Sequence, residues 1–590
     1  MISQINEISF HPRSIYFLRK ITPLFMLLIF ALNCFFSQAS QSVTVDEFHH
    51  LPSGIYNLMT FDWRMNNESP PLIKCFPALS LFITNPKIDL KSFEKSPNTW
   101  TMGYCFMYLN KDRYRLIFQY GRCMIIMLGC LLGWLIYLWA KELYGYKGAL
   151  FALFLYVFNP NILAHSSLIT IDIGASCIIF LSIYCFWKYL NNRNCNSMIL
   201  AGAALGLAQL AKFTALLLYP IFFIIMISKV LMNTNNHKER KYITSEENRG
   251  INYFKEFFII VLISIIVINI GYIFSNSFKP LSEYHFTSNF LKGVFSIIWN
   301  GFPIPLPYDY IAGLDTQLTI SAGGIPFYVS YLMGEHSLKG WWYYYIIAFF
   351  VKNPEPLLII LLLTAVAWMG NKKDRPDKTT ILCIWIPTIS YFIYFSFFTH
   401  IPIGIRYILP VFPLFFLAAG YLLNDFMLEQ KSIKVLLAIL AFFYMFTMVS
   451  VFPKYLSYFN IVSGGSQNGY RWLIDSNLDW GQSLPALRKY MDNNHIEKIK
   501  LGYFGRVDPT IYDINYSLAE KEPSEGIYAI SINFLVGRPY YLLKENTQEL
   551  LYIDMNYFDQ YKSLKPSSII DNSIYIFDMR KEHATLYPSE

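Results

Sequence analysis

Asp46 and Glu47 form an acidic pair just beyond the first long apolar run of a chain in which charge is scarce. Residues 21–36 are apolar enough to enter a membrane, and Arg13, Arg19 and Lys20 precede them. The positive-inside rule leaves the N-terminus in the cytoplasm and sends VTVDEFHH to the opposite surface. Carboxylates at that boundary could meet a lipid-anchored substrate on one side and a water-soluble one on the other. Ionisable groups kept near a membrane are costly, which makes them functional candidates, although an acidic pair can equally begin a solvated loop. The same loop carries His49, His50, Arg64, Glu68 and Lys74, with Pro70-Pro71 stiffening the chain before an apolar stretch. Such a set could do acid–base chemistry or hold a metal. Metal is the weaker reading, because no HxxxH or paired-cysteine spacing is present.

Two further groups could act with them. In NPNILAHSSLITID, His165 and Asp172 fall near the same surface, where Asp172 could also complement the positive end of a helix dipole and His165 could be a polar partner inside a bundle. Arg113, Arg115, Arg122, Lys212, Lys339, Lys352 and Arg406 lie on the outer side, against the usual charge trend. Cations there suit an anionic ligand, above all phosphate, with snorkelling to headgroups as the alternative. Arg122, Lys212 and Arg406 are the more informative three because they lie within or beside apolar spans.

The elements that must position these residues are mostly membrane helices. With 590 residues, 54% hydrophobic and only 15% charged, the chain reads as a polytopic α-helical membrane protein. The net charge of +8 is explained by cytoplasmic anchoring residues and does not point to nucleic acid. The first apolar run reads as a retained helix rather than a cleaved signal peptide, being long and followed at once by the acidic pair. About eleven spans are predicted: 21–36, 116–140, 149–163, 168–188, 198–212, 214–232, 256–275, 341–369, 379–397, 405–423 and 433–452. The loops KELYGYKG, KYLNNRN, NTNNHKERKYITSEENRG and GNKKDRPDK are basic and fall inside under this parity, so the C-terminal region falls outside. The predicted domains are a cytoplasmic N-terminus (1–20), a transmembrane domain (21–453) and a small extracytoplasmic α/β domain (454–590). Two long outside loops, 38–115 and 276–340, interrupt the helices, and LIKCFPALSLF is short enough to lie along the interface. Cys75 and Cys105 share the first loop, where a disulfide and two free thiols both stay open.

The motif series resembles the C-type glycosyltransferase superfamily, in its protein O-mannosyltransferase and aminoarabinose transferase branch. The residues that carry the resemblance are DEFHHLPSGIYNL…DWRMNNESPPLIK, NPNILAHSSLITID, LAKFTALLLYP, YLMGEHSLKGWWYYYIIAFFVKNPEPLL, IGIRYILPVFP and YFNIVSGGSQNGYRWLIDSNLDWGQ, in that order over roughly residues 20–540. The chain departs at Ser69, where related chains often carry His before the proline pair, so Glu68 and His49 would have to serve alone. No metal and no other cofactor is predicted.

The resemblance implies transfer of a sugar from a polyprenyl-phosphate donor to an extracytoplasmic protein, lipid or glycan, with inversion. Asp46 would be the general base, with Glu47, His49 and Asp172 orienting and Glu68 positioning the sugar or another side chain. Arg64, Lys74, Arg122, Lys212 and Arg406 would hold the donor phosphate. Asp479 and Trp480, in DSNLDWGQ, would contact sugar or acceptor, or else close the C-terminal domain onto the helices. The partners implied are the donor, membrane lipids and the acceptor, and no nucleic acid. The Ile-, Asn- and Lys-rich usage points to a bacterial inner membrane with a periplasmic active site, with the endoplasmic reticulum as the alternative. A transporter or flippase for lipid-linked sugars is the rival; internal repeats with matching interrupted helices would mark one, and none is evident.

Overall fold

The computed structural model describes residues 12–237, 246–323, 329–370, 375–424, 431–545 and 549–580. Residues 1–11 of the expected cytoplasmic N-terminus, 238–245 of the long basic loop and 371–374 of GNKKDRPDK lie outside the described residues. Within them the protein is a multi-pass helical bundle with a mixed sheet near its C-terminus.

Eight described helices are long and apolar enough to cross a membrane, or nine if one bent pair counts as a single span, which corrects the expected eleven. The differences have local causes. Spans 116–140 and 149–163 correspond to two helices within Tyr114–Val157 that meet at a kink without an unwound loop, at Gly145 inside the expected loop KELYGYKG, whose φ of 73° takes the left-handed conformation glycine tolerates. Forty-four helical residues would extend about 66 Å, roughly twice a bilayer's hydrocarbon core, so the chain has to turn there. The end of the span expected at 149–163 becomes a separate short helix, Pro160–Ser166, whose first N–H groups are capped by Asn159 Oδ1. The expected span 341–369 is broken by 113° between Tyr344–Lys352 and Glu355–Gly370, at Asn353-Pro354. Proline removes a helical donor and disfavours helix at the residue before it.

The helix at 198–212 is only 17 residues, Cys195–Ala211, and is held by packing. Gly202 and Gly206, four apart, face Tyr253–Gly271. A Cβ on Gly202 would come within 2.8 Å of Ile263, and one on Gly206 within 2.6 Å of Val267. Small residues at this spacing let two helix backbones approach closely, and here they fix the helix that ends at Lys212.

The first outside loop folds into helices Glu47–Thr60, Pro71–Ala78 and Thr99–Leu109. The first of these is buried from Glu47 to Asn57. Pro71–Ala78 buries Ile73 and Lys74, whereas Phe82 and Ile83 beyond it are exposed. Cys75 and Cys105 are both free thiols.

The C-terminal sheet has the spatial order Tyr516–Leu518, Ile499–Gly502, Ile527–Ser531, Ile574–Asp578, Ser568–Ile570. Its first two pairings are parallel and its last two antiparallel. Ile527–Ser531, buried along its whole length, is the central strand, with Ala529 opposite both Leu501 and Ile576. Chain segments reach from this part into the bundle. Ser42 N–H donates to Gln482 O at 2.9 Å and Val45 N–H to Trp480 O at 3.1 Å.

Candidate functional site

Four charged side chains from four separate elements meet at the start of the helix Glu47–Thr60. Asp46 stands at its N-cap position and Asp172 in the first turn of Ile171–Asn192. Lys212 ends Cys195–Ala211, and Arg406 opens the 3₁₀ segment Ile405–Val411. Arg406 Nη1 lies 2.5 Å from Asp46 Oδ2 and 3.7 Å from Asp172 Oδ2, while Lys212 Nζ lies 2.7 Å from Asp172 Oδ1. Two carboxylates and two cations thus form one largely buried ion-pair cluster. The Asp46 side chain is its most open member, at 20% exposure.

Aromatic rings back the cations. The Arg406 guanidinium stands 4.5 Å over the Trp480 ring and 5.3 Å from Tyr407, and Lys212 Nζ is 5.3 Å from Tyr407. Cation–π contact supports such charges where water is scarce. Arg406 can come this close to the C-terminal region because residue 404 is glycine; a Cβ there would meet Ser476 Oγ at 2.3 Å. Asn477 Oδ1 accepts the N–H of Ile405 at 2.9 Å, and Ser476 Oγ donates to Ile403 O at 2.9 Å.

The cluster is not internally satisfied. Asp172 Oδ2, Arg406 Nε, His165 Nδ1 and Thr170 Oγ1 are buried and have no hydrogen-bond partner. Buried polar atoms are nearly always paired, so four orphans around one ion-pair network mark a place built to accept another polar group. His165 packs against the Trp480 ring at 6.3 Å, and burial pulls its pKa down to about 4, leaving a neutral imidazole at ordinary pH. Burial raises the pKa of Asp46, but Arg406, His50 and His49 together hold it below the usual carboxylate value. His49 lies well below its ordinary pKa through burial and its neighbour His50. The Asn66 amide donates to His49 Nδ1 at 2.9 Å, and Trp100 packs against the imidazole at 4.7 Å.

The remaining predicted residues fall elsewhere. Glu47, adjacent to Asp46, turns the other way and is fully buried. Its Oε1 accepts from Arg122 Nε and Ile169 N, both at 2.7 Å, and its Oε2 from Arg122 Nη2 at 2.6 Å and from the N–H and hydroxyl of Thr44. Arg122 gives its other donors to the carbonyls of Gln38, Gln41 and Ser42. Every N–H of that guanidinium is engaged inside the protein, so the expected phosphate contact has no donor to use, and Glu47 has no free oxygen to orient a substrate. The pair is a brace between the first loop and the bundle.

Lys74 is likewise enclosed. It donates to Met65 O and Asn66 O at 3.2 and 2.6 Å, and burial lowers its pKa to about 8. It props the Asn66 turn rather than facing the cluster. Glu68 sits beside that turn, 3.5 Å from the Asn66 amide, with its pKa raised by burial. Arg64 is more than half exposed and forks onto Asp62, away from the cluster. Asp479 serves the C-terminal part: its carboxylate accepts from Ser531 Oγ at 2.5 Å and Gly481 N at 3.0 Å, and burial raises its pKa to about 7. Among the described residues no group of three or more His, Cys, Asp or Glu side chains is arranged to hold a metal ion.

Asn66, Trp100 and Tyr407 were not singled out from sequence. Asn66 and Tyr407 lie inside quoted motifs, MNNESPP and IGIRYILP, whereas nothing in the sequence marked Trp100.

Residues 118–245 match the model of the dolichyl-phosphate-mannose-protein mannosyltransferase family. No curated protein sequence matches the chain. Among solved structures it is similar to ArnT from Cupriavidus metallidurans bound to undecaprenyl phosphate, with 10% identity, TM-score 0.43, and 96% of this chain and 99% of that one covered. It is also similar to the archaeal oligosaccharyltransferase AglB from Archaeoglobus fulgidus in complex with an inhibitory peptide and a dolichol-phosphate, with 11% identity, TM-score 0.42, and 94% and 76% covered. The stretch that matches the dolichyl-phosphate-mannose-protein mannosyltransferase model, residues 118–245, carries Arg122, His165, Asp172 and Lys212.

Proposed function

We propose that this protein transfers a sugar from a polyprenyl-phosphate donor to an acceptor hydroxyl or amine at the extracytoplasmic face of a membrane, by a single inverting displacement. The observation that carries this reading is the cluster Asp46–Arg406–Asp172–Lys212, with its unpartnered buried atoms. In the displacement the acceptor's oxygen or nitrogen attacks the anomeric carbon while its proton passes to the Asp46 carboxylate. The bond from that carbon to the phosphate oxygen breaks, and its electron pair leaves on the polyprenyl phosphate. A general base contributes about 10²–10⁴-fold to such a step, and fixed cations stabilise the departing charge.

The Asp46–Arg406 contact gives this chemistry an order of events. Paired with Arg406, Asp46 is a weak base. A donor phosphate offers Arg406 a competing anion; once the guanidinium turns to phosphate, Asp46 loses its main stabilising partner and becomes more basic. Binding of the donor therefore arms the base. Lys212, paired with Asp172 beside the same guanidinium, is the second cation for the phosphate, and the Trp480 face keeps Arg406 in position.

The test is release of polyprenyl phosphate from a panel of polyprenyl-phosphate sugars by purified protein in lipid discs, with envelope extract as acceptor. Turnover with one donor, abolished in folded Asp46→Asn protein, supports the reading and names the sugar. Near-normal transfer by Asp46→Asn removes the base assignment. Donor binding without release by the wild type favours translocation of lipid-linked sugars instead.

A further inference from the structure

One stretch of the C-terminal region, residues 475–482, holds both partners of the Asp46–Arg406 pair through the residue before each. Val45 N–H donates to Trp480 O at 3.1 Å, and Ile405 N–H to Asn477 Oδ1 at 2.9 Å. Ser476 Oγ donates to Ile403 O at 2.9 Å, on the other side of Gly404, and the Arg406 guanidinium stands over the Trp480 ring. The carboxylate and the cation lie 360 residues apart in the chain, so no local element sets their separation. Residues 475–482 touch the chain on either side of it.

The stretch is itself fixed. Asp475 takes the left-handed conformation, φ 59°, while its carboxylate accepts Ser476 N–H at 2.7 Å and pairs with Arg538 at 3.0 Å. The Asn477 amide donates to Ile474 O at 3.0 Å and to Tyr344 Oη at 3.1 Å. Asn477 O accepts from Lys352 Nζ at 2.6 Å; the same ammonium donates to Leu456 O at 2.8 Å and faces the Phe459 ring. Lys352 is buried, and among the described residues no carboxylate pairs with it. A buried charge without a counter-ion is costly. Here its donors go to the backbone of the segment that grips Ile405.

We infer that Asn477 and Lys352 are positioning residues for the proposed transfer. Through residues 475–482 they set the separation of Asp46 and Arg406 and aim the guanidinium where a donor phosphate can take it over. This rests on the transferase reading and adds to it two residues outside the ion-pair cluster. The DSNLDWGQ motif then acts by geometry, on the base and on the cation at once.

Two measurements on full-length protein in lipid discs test it. One is binding of a polyprenyl phosphate, which needs no turnover; the other is the pH dependence of kcat/KM for release of polyprenyl phosphate from the donor the wild type accepts. Asn477→Ala leaves Ile405 N–H without its acceptor and should weaken binding about tenfold, the scale of one charge-assisted contact. Lys352→Met should weaken it several-fold. Asp46 is faced by Arg406, His50 and His49, and Glu68 and Asp475 also act on it. Burial raises its pKa, and Arg406 is the chief charge that lowers it. A displaced Arg406 therefore moves the acid limb up toward the ordinary carboxylate range, which loss of folded protein alone does not do.

Should either variant fail to fold, a compensating pair decides. Gly404 has extended backbone that alanine adopts freely, so an added methyl collides chiefly with Ser476 Oγ. Gly404→Ala should weaken binding, and Ser476→Ala in the same chain should restore most of it. The inference is overturned if the wild type binds no polyprenyl phosphate, or if Asn477→Ala and Gly404→Ala bind it as tightly as the wild type; the stretch is then packing alone. An acid limb that stays in place while binding weakens also overturns it, because Arg406 has then not moved from Asp46. The two readings fail separately. Asn477-dependent binding without release from any donor would remove the transferase and keep the positioning. Release by the wild type, with binding and acid limb indifferent to Asn477→Ala, would do the reverse.

Discussion

Two ion-pair systems begin at consecutive residues and are built to opposite specifications. In the first, Glu47 and Arg122 exhaust one another: both carboxylate oxygens are engaged, all guanidinium donors are used, and neither side chain is more than 2% exposed. In the second, Asp46 and Arg406 share their charges with Asp172 and Lys212, stay partly open, and leave buried polar atoms unpaired around them. A saturated pair is costly to break and has nothing left to offer a ligand. An unsaturated cluster can exchange partners. On the proposed transferase reading the difference separates scaffold from chemistry, and it predicts that matched substitutions on either side will fail in different ways.

The largest effect falls on the open side. Asp46→Asn should lower polyprenyl phosphate release by about a hundredfold or more while the protein melts where the wild type does. The pH profile sharpens the same point. Because Asp46 is held below its ordinary pKa, its base form is present above the usual carboxylate range and is lost only as pH falls through the lowered value. The acid limb of kcat/KM should therefore lie below the ordinary carboxylate range. A limb above that range would remove Asp46 as the base.

The next largest belongs to the closed side and appears as stability. Glu47→Gln places an amide against the Arg122 donor and Thr44 N–H that now meet Oε2. Leaving one partner of a buried pair uncompensated costs about 3–5 kcal/mol. A lower yield and melting temperature are expected, with transfer per folded molecule near wild type. Full stability with lost turnover would contradict the division drawn here.

A smaller change probes the cation of the open cluster. Arg406→Lys keeps the charge but loses the fork and much of the contact with Trp480. We expect the KM for donor to rise roughly tenfold, about one charge-assisted contact, with a lesser change in kcat. Loss in kcat alone would mean that Arg406 acts only on the departing phosphate.

The sequence marked the acidic pair but could not divide it. Asp46 and Glu47 are one residue apart, and which of them joins the open cluster depends on where the helix begins and on two arginines 75 and 360 residues away. Arg122 and Arg406 look alike as cations in apolar spans; their roles separate only when their donors are counted in three dimensions. Span positions were legible from hydropathy, and most survive within a few residues. What hydropathy missed was one interruption: Asn353-Pro354 breaks the apolar run read as a single span, 341–369. The turn at Gly145, by contrast, falls inside the expected loop KELYGYKG, and the short helix Cys195–Ala211 lies where a span was expected, seated closely through Gly202 and Gly206. Lys74 misled for a related reason. A lysine in a polar loop reads as a ligand for phosphate, yet this one is folded inward onto two backbone carbonyls.

The smallest expected effect tests the same distinction from outside. Arg64 resembles the other cations of the first loop by sequence, and the family resemblance made it a candidate for the donor phosphate. The structure gives it a local fork with Asp62, a bond to Glu94 O, and 52% side-chain exposure. Exposed ion pairs contribute about 0–1 kcal/mol, because water and salt screen them. Arg64→Gln should therefore leave melting temperature and transfer within about twofold of wild type, measured beside Arg406→Lys on the same donor. If it instead raises the donor KM as much as Arg406→Lys does, the phosphate must reach the outer edge of the first loop. The unsaturated cluster would then be only part of the donor site, and saturation would no longer distinguish scaffold from chemistry in this fold.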